Sequence, residues 1–164
     1  MKIKPTQEMI AFFENRIDKH IRRVQKNLIK LSKQCKSLNP DKLYQRIFEH
    51  DASKYSQDEY LPYVYLTWFY KCKNENVLYK YPDGIEDMIN EAKEKHYCTN
   101  RHHPEYHKNP NEMTDIDIAE MVADWAAMSQ EMNNSLKEWV DDNIDKWKFN
   151  QAHKNLIYDL IEVF

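Results

Sequence analysis

An adjacent histidine and aspartate, His50 and Asp51, are the residues of this sequence most suggestive of chemistry. Imidazole and carboxylate groups together form a ligand set that suits borderline divalent metals. Neighbouring residues on a helix point about 100° apart, so an ion lying between them can take both side chains. Further candidate ligands occur at positions that we expect to be helical or close to helix ends: His20, His96, His102, His103 and Asp124. The sequence therefore predicts a metal centre to which several helices contribute.

His20 fills a gap in an apolar stripe of helical spacing that runs from Ile10 to Cys35. A single histidine on such a stripe is more often a hydrogen-bonded core residue than a metal ligand. His96, however, completes a second apolar stripe on a different helix, after Ile85 and Ile89. Two such placements favour the hypothesis that both histidines point into one interior site.

The segment 118–128 contains no basic residue and is apolar on almost every side, which is typical of a buried helix. Glu120 and Asp124 are its only charged residues and lie one turn apart on the same face. A buried carboxylate without a partner costs several kcal/mol, so each is expected to bind a cation or a metal ion. For Glu120 the alternative is an ion pair with a basic side chain such as Arg101.

The densest group of histidines lies in the polar segment 100–107. Pro104 favours an extended backbone at His103, so alternation would turn His102 and His103 in opposite directions. We expect His103 to face the site and keep His102 as the alternative. A third reading is an ordinary polar surface loop.

The elements that must position these residues are predicted to be helices. The chain has a single glycine, Gly84, which argues against a β-rich fold and excludes a Walker loop or a Rossmann fingerprint. Capping patterns predict helix starts at Asn39-Pro40, at Ser56 to Glu59, at Thr114 and at Ser135. With 164 residues, the sequence predicts one all-α domain of six or seven helices over residues 1–164.

Composition narrows the class of partner. A formal net charge of −3 argues against a dedicated nucleic-acid binder, and no apolar run approaches the length of a membrane span. Three widely spaced cysteines without a C-x-x-C pair indicate free thiols in a reducing cytoplasm. The sequence allows a homo-oligomer but does not fix the oligomeric state.

The order His20, His50-Asp51 and Asp124 resembles the defining His … His-Asp … Asp pattern of the HD-domain superfamily of metal-dependent phosphohydrolases. The run His50 to Lys54 is similar to the H-D-x-x-K form of some members. The segments 50–54, 100–105 and 120–125 also resemble an uncharacterised phage and bacterial family of about this length. This second resemblance covers most of the chain and carries no activity with it.

The HD resemblance implies an all-α HD-like bundle and a hydrolase acting on a nucleotide or another small phosphate ester. It implies one divalent ion held by His20, His50, Asp51 and Asp124, with Mn, Fe, Zn, Ni and Mg as candidates. Two-metal members place additional histidines between the His-Asp pair and the last aspartate. In this chain those would be His96 with His103 or His102, and Asp51 would bridge two ions.

Three further residues are expected to act beside the metal. Lys54 and Arg101 would stabilise negative charge on the phosphate, and Glu120 would orient a histidine or a water molecule. The alternative for Lys54 is an ordinary surface lysine. Two other functions stay open: an HD-type di-iron oxygenase, which uses the same ligand set, and a non-catalytic nucleotide-binding or inhibitor module.

Overall fold

The computed structural model describes residues 4–164, and their regular structure is entirely helical. This part of the chain forms seven α-helices and no β-strand, which confirms the predicted all-α fold. The helices are α1 (Gln7–Gln34), α2 (Pro40–Glu49), α3 (Tyr60–Asn74), α4 (Ile85–Thr99), α5 (Asp115–Met132), α6 (Leu136–Asn143) and α7 (Gln151–Ile161). Short 3₁₀ turns lie at Ala52–Tyr55, Pro104–Tyr106, Pro110–Glu112 and Ile144–Trp147. Within residues 4–164, no helix is both long and apolar enough to cross a membrane.

All four predicted helix starts are confirmed, and three of the four predicted N-terminal caps are formed. The Asn39 side chain accepts a hydrogen bond from the backbone N–H of Lys42 at 3.1 Å, and Pro40 occupies the first helical position. The side chain of Thr114 and the carboxylate of Asp117 form a reciprocal capping box at the start of α5. Ser135 caps α6 through the backbone N–H of Glu138. Each cap satisfies donors that a helix N-terminus otherwise leaves without an intrahelical partner.

The capping box predicted over Ser56 to Glu59 is wrong. Helix α3 begins at Tyr60, and its N-cap residue, Glu59, makes no side-chain capping bond. The Glu59 side chain is fully buried and faces Ser53 and His96 instead. Because that carboxylate is engaged inside the protein, it cannot return to the helix terminus.

The expectation that His50 and Asp51 project from one continuous helix is also wrong. Helix α2 ends at Glu49, and the His50 N–H closes its last turn on the Arg46 carbonyl. Asp51 then adopts a left-handed conformation with φ 56° and ψ 15°. This conformation commonly ends helices, and aspartate tolerates it better than most side chains. The pair is therefore presented by a helix C-terminus.

The described chain forms two compact units. Residues 4–19 and 51–96 form the first, called here the aromatic unit, and residues 20–50 and 97–164 form the second, called the α5 unit. The long helix α1 contributes residues to both. The prediction of a single domain over residues 1–164 stays a prediction.

In the α5 unit, α5 packs against α2, α6 and α7. Its buried positions occur on every side of the helix, which confirms that it is a central buried helix. The surrounding core is aliphatic and includes Val24, Leu28, Leu31, Leu43, Ile118, Met121, Ile157 and Leu160. Burial of this apolar surface fixes α5, and with it the carboxylates that α5 carries.

The core of the aromatic unit is formed by α1, α3 and α4. Phe13 of α1 meets the Tyr60 ring of α3 edge to face, with 5.3 Å between ring centroids. Tyr65 is 2% exposed. The other buried apolar residues of this unit are Met9, Ile17, Val64, Cys72, Ile85, Ile89 and Ala92. The predicted apolar stripe on α4 is thus buried and places His96 inside this unit.

Candidate metal centre

In the α5 unit, three histidines and two carboxylates form a group that we call the imidazole cluster: His20, His50, His102, Glu120 and Asp124. The three histidines are at most 5% exposed. Their ring centroids lie 5.7 Å apart for His20 and His50 and 4.5 Å apart for His50 and His102. They come from α1, the end of α2 and the turn after α4, and both carboxylates come from α5.

The Nε2 atoms of all three histidines face the carboxylate of Asp124. The Nε2 atom of His20 lies 3.1 Å from Asp124 Oδ1, and that of His50 lies 3.8 Å from the same oxygen. The Nε2 atom of His102 lies 4.0 Å from Asp124 Oδ2. Three imidazole nitrogens and one carboxylate therefore converge on a small volume.

Glu120 engages the opposite edge of two of these rings. Its Oε1 lies 3.0 Å from His50 Nδ1 and 3.3 Å from His102 Nδ1. A carboxylate there accepts a hydrogen bond from Nδ1–H and so favours the tautomer whose Nε2 carries a lone pair. Histidines that bind metals are commonly oriented by such a carboxylate. In that tautomer the Nε2 atoms of His50 and His102 could serve as metal ligands.

The electrostatics keep both carboxylates of this cluster ionised. Burial raises the pKa of Asp124, but the hydrogen bond with His20 and the nearby His50 and His102 rings lower it well below its usual range. Burial likewise acts to raise the pKa of Glu120, yet its bonds with His102 and His50 lower it to about 2. The cluster therefore presents anionic oxygen beside imidazole nitrogen.

The alternative for Glu120 is an ion pair with a basic side chain such as Arg101, and the structure does place an arginine beside it. Arg46, not Arg101, approaches Glu120, with Nη1 3.3 Å from Oε2. Arg101 instead holds Asp117 through two hydrogen bonds of 3.0 and 2.9 Å, and Arg46 adds a third of 2.8 Å. Arg46 already offsets the charge of Glu120. A metal ion is therefore expected to bind more favourably at the Nε2 atoms of the histidines, where Asp124 supplies the negative charge.

Of the two adjacent histidines, His102 is more deeply buried than His103, the one expected to face the site. His102 is 2% exposed and lies against Glu120, whereas His103 is half-buried. His103 does have the predicted extended backbone, with φ −90° and ψ 130°. Its ring lies between those of His102 and Tyr97, with centroid distances of 4.2 and 4.9 Å. His103 therefore covers His102 from outside.

The aromatic unit contains a second buried polar group, called here the carboxylate cluster: Asp51, Ser53, Lys54, Glu59 and His96. Lys54 Nζ lies 2.5 Å from Asp51 Oδ2. His96 Nε2 lies 3.3 Å from Asp51 Oδ1, while His96 Nδ1 lies 2.8 Å from Glu59 Oε2. His96 is thus held between two carboxylates, as His50 and His102 are in the imidazole cluster.

The charges of the carboxylate cluster are balanced by other groups than those of the imidazole cluster. Burial lowers the pKa of His96, but hydrogen bonds with Asp51 and Glu59 outweigh it and raise the pKa above its usual value, against the repulsion of Lys54. The ammonium of Lys54 offsets part of the charge of the two carboxylates. Protonation of His96, which the raised pKa favours, would compete with binding of a metal ion by that ring.

Sequence reasoning missed Glu59 and Asp117 as members of these networks. Both occur in S/T-x-x-D/E patterns, which predict a role in helix capping. Asp117 does cap α5 and also binds two arginines, whereas Glu59 does not cap α3. Only the complete burial of both carboxylates identifies them, and local sequence carries no signal for that burial.

The donor set of the imidazole cluster suits a borderline divalent ion. Three imidazole nitrogens and one carboxylate match the preferences of Zn, Fe, Ni or Mn better than those of Mg, which favours all-oxygen ligands. His50, His102 and Glu120 bring ligand atoms within 4.8 Å of one another, and His20 and Asp124 lie beside them. These five residues are the ones in this unit that could hold such an ion. The predicted participation of Asp51 with them, and its bridging of two ions, stays a prediction.

The comparison with known families matches almost all of the chain. Residues 9–163 match a group described as "Family of unknown function (DUF5662)". The chain belongs to this family. Neither the curated proteins nor the solved structures give a significant match to it. Membership of DUF5662 carries no activity, so a function must be argued from the two clusters.

Proposed function

We propose that this DUF5662 protein is a metal-dependent phosphohydrolase that acts on a nucleotide or another small phosphate ester. The observation that carries the proposal is the convergence of three Nε2 atoms on the Asp124 carboxylate, with Glu120 on the far edge of two of the rings. The resemblance of the sequence to HD-domain phosphohydrolases supports the same function.

The residues of the imidazole cluster would hold the ion. His20, His50 and His102 supply neutral nitrogen donors, and Asp124 supplies the negative charge that retains a divalent cation. A bound ion of this type lowers the pKa of a coordinated water and polarises a phosphoryl oxygen. Glu120 keeps the Nδ1 atoms of His50 and His102 protonated, so that their Nε2 atoms stay available.

Lys54 and Arg101, the two basic residues expected to contact the phosphate, have different surroundings. Lys54 is 17% exposed at its side chain and lies beside Asp51, with its ammonium 5.5 Å from the centre of the Tyr63 ring. A desolvated ammonium of this kind suits a phosphate oxygen. Arg101 is more exposed, at 39%, and two of its nitrogens bind Asp117. Lys54 is therefore the less solvated of the two cations.

The experiment combines metal analysis with a hydrolysis screen on the full chain. The protein is stripped with a chelator, reloaded separately with Mn, Fe, Zn, Ni or Mg, and assayed against nucleotides, ribose 5-phosphate and an aryl phosphate. We expect at least one bound ion per chain and phosphate release that depends on it. His102→Gln should lose both properties. His107→Gln, a half-buried histidine outside the cluster, is the matched control and should keep them.

Two results would contradict the hydrolase. One is a folded, metal-loaded protein that releases no phosphate from any ester in the screen. The other is phosphate release that survives His102→Gln unchanged. Stoichiometric iron with oxygen consumption and no phosphate release would instead support the oxygenase alternative.

A further inference from the structure

A cavity in the α5 unit is lined by three of the four tryptophans of the chain. Trp125 lies on α5, Trp139 on α6 and Trp147 at the end of the last 3₁₀ turn. The rings of Trp125 and Trp147 are stacked at 25° with centroids 5.3 Å apart, and Trp139 lies 5.1 Å from Trp125. The cavity measures about 300 Å³, which is at the lower end of the range for small-ligand pockets.

Two residues that line this cavity are the sequence neighbours of two residues of the imidazole cluster. Trp125 directly follows Asp124 on α5, and His103, which also lines the cavity, directly follows His102. Consecutive Cα atoms are about 3.8 Å apart, so two walls of the cavity belong to neighbours of two candidate ligands. The lining includes these two neighbours but none of the cluster's own side chains, so a ligand would have to reach past Trp125 or His103 to place a substituent at the cluster.

The chemistry of the lining suits a flat heteroaromatic group. The tryptophan faces and the His103 ring offer stacking surfaces. The polar groups are the Glu105 carboxylate, which accepts a hydrogen bond from Trp147 Nε1 at 2.9 Å, and the side chains of Tyr97, Ser129 and Asn134. Flat apolar walls with a carboxylate and an amide at their edge can recognise a ring that carries amino and carbonyl substituents.

A packing role alone does not account for this arrangement. The three tryptophans do contact the buried core at their inner edges. Their rings are nevertheless only half-buried, and the cavity remains between them and His103. Met132, on the last turn of α5, borders the same cavity and is 61% exposed. The outer ring surfaces are thus accessible.

We propose that this tryptophan pocket, formed by His103, Trp125, Trp139 and Trp147, binds the nucleobase of a nucleotide substrate. The inference rests on the proposed hydrolase function and narrows its substrate class. The base stacks in the pocket, and the sugar leads its phosphate to the imidazole cluster. A phosphate ester without an aromatic group lacks this contact and binds more weakly.

The test measures binding of nucleosides, which contain the base and sugar but no phosphate. Adenosine, guanosine, cytidine and uridine are titrated calorimetrically into the full chain after metal removal, so that binding does not depend on the ion. We expect saturable binding of at least one nucleoside. Trp139→Leu should weaken it about tenfold, in line with the loss of one stacking partner, and Trp139→Tyr should largely restore it.

Trp68→Leu is the matched control. Trp68 lies in the aromatic unit, where it contacts Phe12 and Lys71, and its replacement should leave nucleoside affinity unchanged. In hydrolysis assays, Trp139→Leu should raise KM for the nucleotide and leave ribose 5-phosphate turnover unaltered. Circular dichroism establishes that each variant is folded.

The possible results distinguish failure of the pocket assignment from failure of the hydrolase proposal. If the folded wild type binds no nucleoside yet hydrolyses phosphate esters, the pocket assignment is overturned and the proposed function stands. If Trp68→Leu weakens binding as much as Trp139→Leu, the assignment is also overturned. If nucleosides bind in the predicted way and no ester is hydrolysed, the pocket is a nucleoside site and the hydrolase proposal fails.

Discussion

The imidazole cluster and the carboxylate cluster share one local arrangement of side chains but differ in the groups that balance their carboxylates. In each, a buried glutamate holds the Nδ1 edge of a histidine while Nε2 faces an aspartate: Glu120, His50 and Asp124 in one, Glu59, His96 and Asp51 in the other. The imidazole cluster has three histidines around its aspartate. The carboxylate cluster has one histidine and a lysine.

This difference predicts which aspartate binds the first ion. Asp51 already has the ammonium of Lys54 at 2.5 Å, so a metal ion there competes with a resident cation. Asp124 faces imidazoles, which are neutral ligands once their protons leave. We therefore expect the tighter site at Asp124.

The largest effect is expected from Asp124→Asn. The change removes the anionic ligand and leaves three imidazoles without the charge that retains the ion. Metal affinity and phosphate release should fall by more than the roughly 100-fold loss that accompanies removal of an orienting partner. Metal titration and initial rates measure it. Asp115→Asn, an exposed change in the first turn of the same helix, is the control and should be silent. Equal metal affinity in the two variants would contradict the assignment of Asp124.

Chelation should destabilise the wild type. An ion present at about 100 times its Kd contributes roughly 2.7 kcal/mol to the free energy of unfolding. For a chain of this length that corresponds to a decrease in Tm of roughly 5–10 °C. Differential scanning calorimetry before and after metal removal tests this, and Asp124→Asn should show no response to the chelator. A wild-type Tm that is unchanged once metal loss has been verified would exclude a stabilising ion.

A matched pair of glutamate variants sharpens the comparison. Glu120→Gln should reduce affinity for the first ion by about 10- to 100-fold, because His50 and His102 lose the carboxylate that fixes their Nδ1 protons. Glu59→Gln changes the equivalent residue of the carboxylate cluster and should alter that affinity little. Isothermal titration with the metal alone measures both. An equal loss of metal affinity in the two variants would contradict the prediction that the first ion binds in the imidazole cluster.

The smallest expected effect is the pH dependence of the stability that the Asp117 ion pairs contribute. Burial alone would raise the pKa of Asp117, but its bonds with Arg101 and Thr114 lower the pKa below its usual range. The stabilisation is therefore present above the unfolded-state value near 3.9 and is lost as pH falls through the lower folded-state value. Asp117→Asn should cost about 2 kcal/mol at pH 7, less than a fully buried pair because both arginines are partly exposed.

Denaturant unfolding at several pH values tests this last prediction. The difference between wild type and Asp117→Asn should shrink as the pH is lowered below about 4. Asp115→Asn again serves as the control for loss of a carboxylate at this helix end. A difference that grows on acidification would have the wrong sign for a depressed pKa.

Much of the fold was predictable because it follows local rules. The cap at Thr114, the apolar stripes of α1 and α4 and the all-round burial of α5 are each expressed within a few turns of sequence. The same stripes place His20 and His96 in the interior, where the structure has them.

What sequence reasoning missed depends on contacts between distant residues. Arg46 reaches Asp117 across 71 positions, and Glu59 reaches His96 across 37. No local pattern predicts that Arg101 pairs with Asp117 and not with Glu120, because an arginine can form an ion pair with either carboxylate. The choice of His102 over His103 also depends on where Glu120 lies, which only the packing of α5 against α2 decides.

The left-handed backbone at Asp51 sets backbone strain and ion pairing against each other at a single position. Glycine would adopt φ 56° without a side-chain penalty, and asparagine would adopt it more readily than most residues. Either replacement would discard the carboxylate that Lys54 and His96 contact. Loss of one partner of a buried ion pair costs about 3–5 kcal/mol, which exceeds the roughly 1–3 kcal/mol cost of a strained backbone position. A laboratory selection for heat resistance is therefore expected to retain aspartate at residue 51, although the backbone there would suit glycine better.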